Sequence, residues 1–195
     1  MVPSGNRLPS SRATRVMPRS SQNRRGILLA MIEEVLTERV RLRPLTAGDF
    51  DALYATVFSD PEVSWTRSTR PEQEGREALE AKLAHMREHG FGMMAVTDRE
   101  TGKVLGYAGL QHLENGPDVE VGYYLGRGAW GRGLGSEIAR RLVEVGFREL
   151  GLSRIVAVVR PDNAASKRVL AKAGLRKAGE GHHYGADVEL WEVSA

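Results

Sequence analysis

Apolar residues recur along this chain at two spacings, every second residue and every third or fourth, and the two patterns alternate from residue 39 to the end. Val40, Leu42 and Leu45 mark a short half-buried strand that Pro44 and Gly48 break. Residues 49–58 then predict a helix. A second helix is predicted over residues 72–89, where Glu and Arg are spaced for i,i+4 pairing and Ala78, Leu79, Leu83 and Met86 share one face. Residues 92–98 and 103–111 flank the turn sequence at Arg99 to Gly102, which predicts an antiparallel hairpin. Residues 119–125 form a further strand across the loop 114–118. The segment 133–150 is strongly helical in period, with Leu134, Ile138, Leu142 and Val145 as its stripe. Residues 153–160 predict a buried strand, 163–173 a helix stopped at Gly174, and 175–184 and 187–193 two closing strands around Gly185.

Residues 1–26 break this pattern. They are rich in Pro, Ser, Arg and Asn without apolar periodicity, so they are expected to be disordered. Three readings of them stay open: an RNA- or ribosome-binding arm, an organelle transit peptide, or an extension upstream of a true start at Met31 or Met17. The domain boundaries follow, with residues 1–36 as a basic leader or miscalled start and residues 37–195 as one globular domain. Of 195 residues, 41% are hydrophobic and 27% charged, enough for one sizeable core.

Charge sharpens the division. The net charge of +3 is misleading, because residues 1–30 carry six arginines and no acid, leaving 22 bases against 25 acids in the body. A basic nucleic-acid groove on the folded domain is therefore not supported, and any polyanion attraction belongs to the leader. The chain has no cysteine, which excludes disulfides, thiolate metal sites and a cysteine nucleophile and fits a reducing compartment. Its five histidines are read as lacking HExxH-type spacing, so no metal is expected. No apolar stretch is long enough to span a bilayer. Arginine outnumbers lysine 23 to 5, which suggests a GC-rich genome and a bacterial cytoplasm.

The candidate chemistry lies in the run GRGAWGRGLGS at residues 126–136. Its first six residues form a GxGxxG, the dinucleotide fingerprint, but that motif should open its helix within the glycines and be followed by an acid about 20 residues later. Position 146 is a glycine inside a helix, and the preceding strands are antiparallel, so a dinucleotide fold is rejected. A Walker loop is excluded, since no Gly-Lys-Ser/Thr follows. Shifted along the chain, residues 131–136 sit directly before the helix, where successive backbone N–H groups can converge on an anion and glycine permits close approach. A Gly-rich turn with no ligand is the competing reading.

Four segments together resemble the GCN5-related N-acetyltransferases (GNAT), in the branch of ribosomal-protein N-terminal acetyltransferases: TERVRLRPLTAGDFDAL, VLGYAGLQHL, VEVGYYLGRGAWGRGLGSEI and RPDNAASKRVLAKAGLRKAGE. The resemblance covers nearly all of residues 37–193. It implies an α/β (α+β) fold with a mixed, mostly antiparallel sheet, helices on both faces, and a splay between the fourth and fifth strands, 119–125 and 153–160. It implies acetyl-CoA as co-substrate. The family's acetyl-CoA loop aligns with Trp130 at its first position and Gly133 and Gly135 at its glycines. By the same resemblance the backbone of Tyr123, Tyr124 and Leu125 pairs with the pantetheine arm, while Gly131, Arg132, Gly133, Leu134, Gly135 and Ser136 hold the pyrophosphate. Asn163 and Ser166 match an asparagine and a serine beside the pantetheine, and both also read as a helix cap and first turn.

The reaction implied is attack of an amine on the thioester carbonyl, aided by a backbone N–H of residues 123–125. A glutamate and a tyrosine that other branches use as base and acid correspond here to Val158 and Leu170. Glu120 is the remaining carboxylate that could take the amine's proton, and Ser166 a candidate to protonate the thiolate. The competing reading of Glu120 is an exposed strand residue. A weak base suits a terminal α-amine, whose reference pKa near 7.7–8.0 leaves roughly a tenth neutral at pH 7. Trp65, Arg67, Arg70, His112, His182, His183 and Tyr184 are candidates for acceptor specificity, with Trp65 and Trp191 read mainly as packing residues. The acceptor is expected to be a protein N-terminus or a small-molecule amine. A non-catalytic acetyl-CoA-binding regulatory module is the alternative; oligomeric state is not readable.

Overall fold

The computed structural model describes residues 20–22, 28–30, 32–65 and 67–195. Strands β1 (Ser20–Gln22) and β2 (Leu28–Ala30) pair with each other, so three residues of the segment expected to be disordered are in a strand. The rest of that expectation lies outside the described residues.

Alternation of apolar residues builds the main sheet. It consists of β3 (Val35–Leu36), β4 (Val40–Pro44), β5 (Met93–Asp98), β6 (Val104–His112), β7 (Val119–Leu125), β8 (Arg154–Val159), β9 (Arg176–His183) and β10 (Ala186–Ser194). Their order is β3-β4-β5-β6-β7-β8-β10-β9. Every neighbouring pair is antiparallel except β7 and β8. This is the mixed, mostly antiparallel sheet expected from the sequence, with β3 added at its edge.

Period two sends side chains to two separate cores. Val40, Leu42, Met94, Val96, Ala108, Leu110 and Val121 pack against α3 (Leu134–Arg148), whose Leu134, Ile138, Leu142 and Val145 are buried as the helical stripe predicts. On the other face Met93, Ala95 and Tyr107 pack against Phe50, Leu53 and Leu79 of α1 (Phe50–Leu53) and α2 (Glu72–His89). The short α4 (Ala164–Lys172) follows β8 on the first of these faces. Among the described residues, no helix is long and apolar enough to cross a membrane.

The helix expected over 49–58 is instead three pieces: a 3₁₀ turn (Ala47–Asp49), α1, and a π-helical turn (Tyr54–Phe58). The Thr56 hydroxyl donates to the Ala52 carbonyl at 2.7 Å, a back-bond that competes with the α ladder. The widened turn buries Val57 and Phe58 side by side. Asp49 ties this segment to β4, accepting from Arg43 Nη1 at 2.9 Å and Nη2 at 2.6 Å and from the Thr46 N–H at 2.8 Å.

Burial pushes the Asp49 carboxyl upward, but hydrogen bonds from Arg43 and then Thr46 outweigh it and hold it below the ordinary carboxylate value. A depressed folded pKa stabilises above the unfolded value near 3.9 and stops doing so as pH falls through the folded one. Asp49→Asn should therefore cost about 2 kcal/mol at pH 7. In urea unfolding, the gap from the wild type should close below about pH 4.

Candidate active site

β7 and β8 pair at one position, Glu120 with Val156, and then diverge. β7 is otherwise held by seven pairs to β6, and β8 by six to β10. The gap between them opens beside Tyr123 to Leu125. Gly126 N–H donates to Leu105 O at 2.9 Å, so even-numbered β7 residues turn their backbone groups toward β6 and odd-numbered ones toward β8. The backbones of Tyr123 and Leu125 therefore face the gap, while that of Tyr124 pairs with β6. This corrects the expectation that all three present backbone groups to a ligand. The Leu125 carbonyl is already taken by Trp130 Nε1–H at 2.6 Å.

A cleft of about 800 Å³ runs from this gap along Tyr123, Tyr124 and Leu125 to Gly131, Gly133, Leu134, Gly135 and Ser136, with Asn163 and Ser166 on its far wall. Gly131 (φ 72°) and Gly133 (φ 78°) adopt the left-handed conformation that turns the chain into α3. The first turn of α3 leaves the N–H groups of Leu134, Gly135 and Ser136 without helical acceptors, directed at the cleft end. A Cβ on Gly135 would sit 3.4 Å from Val169 of α4, so glycine there lets the two helices close the cleft wall. Arg39 fastens the loop from behind, donating to Arg132 O at 2.7 Å and pairing with Glu137 at 2.6 Å. Arg132 is not among the residues lining the cleft.

Asn163 is the N-cap of α4, its Oδ1 accepting from Ser166 N–H at 2.9 Å, and it lines the cleft as well. The cap and wall readings of Asn163 thus coexist. Ser166 Oγ lies 2.7 Å from the Tyr123 hydroxyl, a link across the gap from β7 to α4. Burial pushes the Tyr123 phenol up to about 12, so it is a neutral hydrogen-bonding group at neutral pH.

On the opposite face of the sheet, Glu120 is 5% exposed, which corrects the exposed-strand reading. Its carboxylate accepts from Gln111 Nε2 at 2.7 Å and from the Tyr184 hydroxyl through a short hydrogen bond. Burial raises the Glu120 carboxyl above its ordinary value, partly offset by these donors. Tyr184 comes from the β9–β10 turn, where its N–H donates to Glu114 Oε1 at 2.7 Å and its carbonyl accepts from Trp65 Nε1 at 3.2 Å. Trp65 therefore fastens the turn over the site. His183 meets Glu114 at 2.7 Å, whereas His182 pairs with Asp187 on the other side of β9. Arg67 reaches Asp162 at 2.6 Å and lines the cleft.

Two smaller cavities continue the cleft through the sheet. The junction, about 130 Å³, is lined by Glu120, Tyr123, Tyr124, Val158, Asn163, Ser166 and Leu170. The second, about 290 Å³, lies under α2 and is lined by Arg70, Lys82, Tyr107, Gln111, Tyr124 and Tyr184. Sequence reasoning passed over Lys82 and Gln111. Gln111 sits opposite Glu120 in the β6–β7 register, a pairing that follows once the hairpin and the loop length are known.

Three histidines also converge away from the cleft: ring atoms of His85, His89 and His112 lie within 4.8 Å of one another. The i,i+4 spacing of His85 and His89 in α2 was the signal for this, and the reading of histidines without ligand spacing is corrected. His85 donates from Nδ1 to Phe91 O at 3.0 Å and accepts the His112 N–H on Nε2 at 3.1 Å, so both its nitrogens are engaged. Burial, then the neighbouring His89, lowers its pKa to about 4.

The site is thus a glycine loop at a helix N-terminus that opens into a split between two parallel strands. Residues 39–176 match the family model described as acetyltransferase (GNAT) domain. An N-acetyltransferase of Bacillus licheniformis, p20, uncharacterized, is 33% identical over 76% of this chain and 85% of its own length. The acetyltransferase from Agrobacterium tumefaciens strain C58 superposes with a TM-score of 0.75 at 26% identity, covering 84% of this chain and 95% of that one. In fold alone the chain is also similar to the ribosomal-protein-S5-alanine acetyltransferase of Vibrio fischeri, at TM-score 0.63 and 21% identity over 83% and 96% of the two chains. This chain belongs to the GNAT acetyltransferase family, whose members use acetyl-CoA as co-substrate.

Tyr184→Phe removes a donor to the ionised form of Glu120. The Glu120 carboxyl should then titrate at higher pH than in the wild type, read by carboxyl-carbon NMR. An unchanged midpoint would show that the Tyr184 hydrogen bond does not set its ionisation.

Proposed function

We propose that this protein is an acetyl-CoA-dependent N-acetyltransferase that moves an acetyl group to a primary amine, either a protein N-terminal α-amine or a small-molecule amine. The observation that carries this reading is the divergence of β7 from β8 after one paired position, which leaves the Tyr123 backbone facing a cleft that ends at the glycine loop.

Gly131, Gly133, Leu134, Gly135 and Ser136 hold the pyrophosphate on the N-terminus of α3, and Tyr123, Leu125, Asn163 and Ser166 line the path of the pantetheine arm. Gly131 supports this role, since a Cβ there would enter open space and only its left-handed backbone demands glycine. Tyr124 contributes its side chain to the junction instead of its backbone. The amine nitrogen attacks the thioester carbonyl carbon, the oxyanion forms against the Tyr123 N–H, and the C–S bond breaks as the tetrahedral intermediate collapses. The amine's proton goes to Glu120, directly or through water, and the CoA thiolate takes a proton from the Ser166–Tyr123 hydroxyl pair or from solvent. Glu120 suits this role because its pKa is raised toward that of the amine while Tyr184 and Gln111 keep its carboxylate oriented.

The reading is tested by titrating acetyl-CoA into the protein calorimetrically and following thiol release with a panel of amines. Gly133→Asp places a carboxylate against the pyrophosphate and should abolish binding. Glu120→Gln should keep acetyl-CoA affinity and lower kcat on the order of 100-fold. Acetyl-CoA binding that survives Gly133→Asp unchanged would remove the loop from the reading.

A further inference from the structure

We propose that the cavity under α2 binds an amine carrying its own carboxylate, an amino acid or a close relative, with Lys82 and Arg70 holding that carboxylate while the amine reaches Glu120. The proposal rests on the acetyltransferase reading above and names its acceptor class.

The cavity, about 290 Å³, is at the small end of ligand pockets and shares Ser64, Trp65, Met93 and Tyr124 with the junction that contains Glu120. A molecule occupying both would have one end at the acetyl-transfer point and the other at Lys82. The walls there are largely aromatic, yet two cationic side chains enter them. Neither Lys82 nor Arg70 forms an ion pair with a carboxylate among the described residues. Lys82 Nζ has Ala78 O at 3.4 Å and stands 5.0 Å from the centre of the Tyr107 ring. A half-buried ammonium so weakly satisfied is costly unless an anion arrives to pair with it.

The electrostatics agree. Burial, and then the like charge of Arg70, lower the Lys82 pKa to about 8, against a smaller pull from Glu120. Glu120 is not that counter-ion at contact: it forms no ion pair with Lys82 or Arg70 among the described residues, and its Oε1 accepts from Gln111 and Tyr184. A bound carboxylate would relieve the repulsion between the two cations. A protein N-terminus supplies no such group by necessity, since its own α-carboxyl is an amide. A free amino acid supplies one within a few bonds of the amine.

The test uses full-length protein saturated with desacetyl-CoA, into which the common amino acids and their α-amides are titrated by calorimetry. At least one acid should bind tenfold or more tightly than its amide. Lys82→Met should erase most of that preference while leaving acetyl-CoA affinity unchanged, which also reports that the variant is folded. Arg70→Gln serves as an independent second variant. Thiol release with acetyl-CoA should follow the same order, through KM and not kcat. Amides that bind as well as acids, or no acid binding at all, would overturn the proposal while intact acetyl-CoA binding leaves the acetyltransferase reading standing. Peptides beginning with Asp or Glu separate a protein-borne carboxylate from a free one, and faster turnover of these than of every free acid would also overturn it. Absence of acetyl-CoA binding would remove both readings together.

Discussion

A parallel pair of strands that meets at Glu120 and Val156 and nowhere else is the constraint on which the rest of this molecule depends. Such a gap in the middle of a sheet exposes backbone donors and acceptors, which normally close into a ladder. It persists here because each strand is fixed from its outer side, β7 by the β6 hairpin partner and β8 by β10. The Tyr123 hydroxyl and Ser166 Oγ then bridge the gap at 2.7 Å, so its width is set by side chains instead of a ladder. α3 starts at the open end of the gap, and its first turn brings further N–H groups without helical acceptors to the same cleft.

The same strand separates the glycine-loop cleft from the cavity under α2. Along β7, Val121, Tyr123 and Leu125 belong to the α3 face, whereas Glu120, Gly122 and Tyr124 look toward α1 and α2. A one-residue slip would exchange the faces and turn Glu120 toward α3. Gly122 makes room for Met93 on the α1–α2 face, since a Cβ there would lie 2.6 Å from Met93 Cε. Met93 lines both the junction and the α2 cavity, so displacing it would narrow the passage between them.

The local parts of this arrangement were legible in the sequence. α2 falls at residues 72–89 as its periodicity requires, Asn163 caps α4, and the glycine run lies at the head of α3. What sequence could not show is assembled from distant pieces. Glu120 looked like a solvent-facing residue of an alternating strand, and it is buried because Tyr184, 64 residues later, folds over it. Lys82 belongs to a polar-looking stretch of α2, and it lines a cavity only because the helix is laid across Tyr107, Tyr124 and Tyr184. The π-helical turn was invisible for a different reason, since a Thr56 back-bond leaves no mark in the hydrophobic pattern.

Tyr184 shows how much local cost this side of the sheet tolerates. It occupies the first position of a two-residue hairpin turn, with φ of 51° followed by Gly185 at 71°, where Asn or Gly is usual. Glu114, which holds the Tyr184 N–H, is itself left-handed at φ 49°. Two non-glycine residues in that region each cost about 1 kcal/mol or more, so the surroundings must over-determine them. They do: Glu114 accepts from both Tyr184 and His183, Trp65 donates to the Tyr184 carbonyl, and the phenol ends on Glu120. A hairpin built only to close the sheet would not need a tyrosine at that position. Its reach to Glu120 links the last turn of the chain to a carboxylate placed where β7 and β8 still touch. The ionisation of Glu120 and the shape of the cavity under α2 therefore depend on the same few hydrogen bonds.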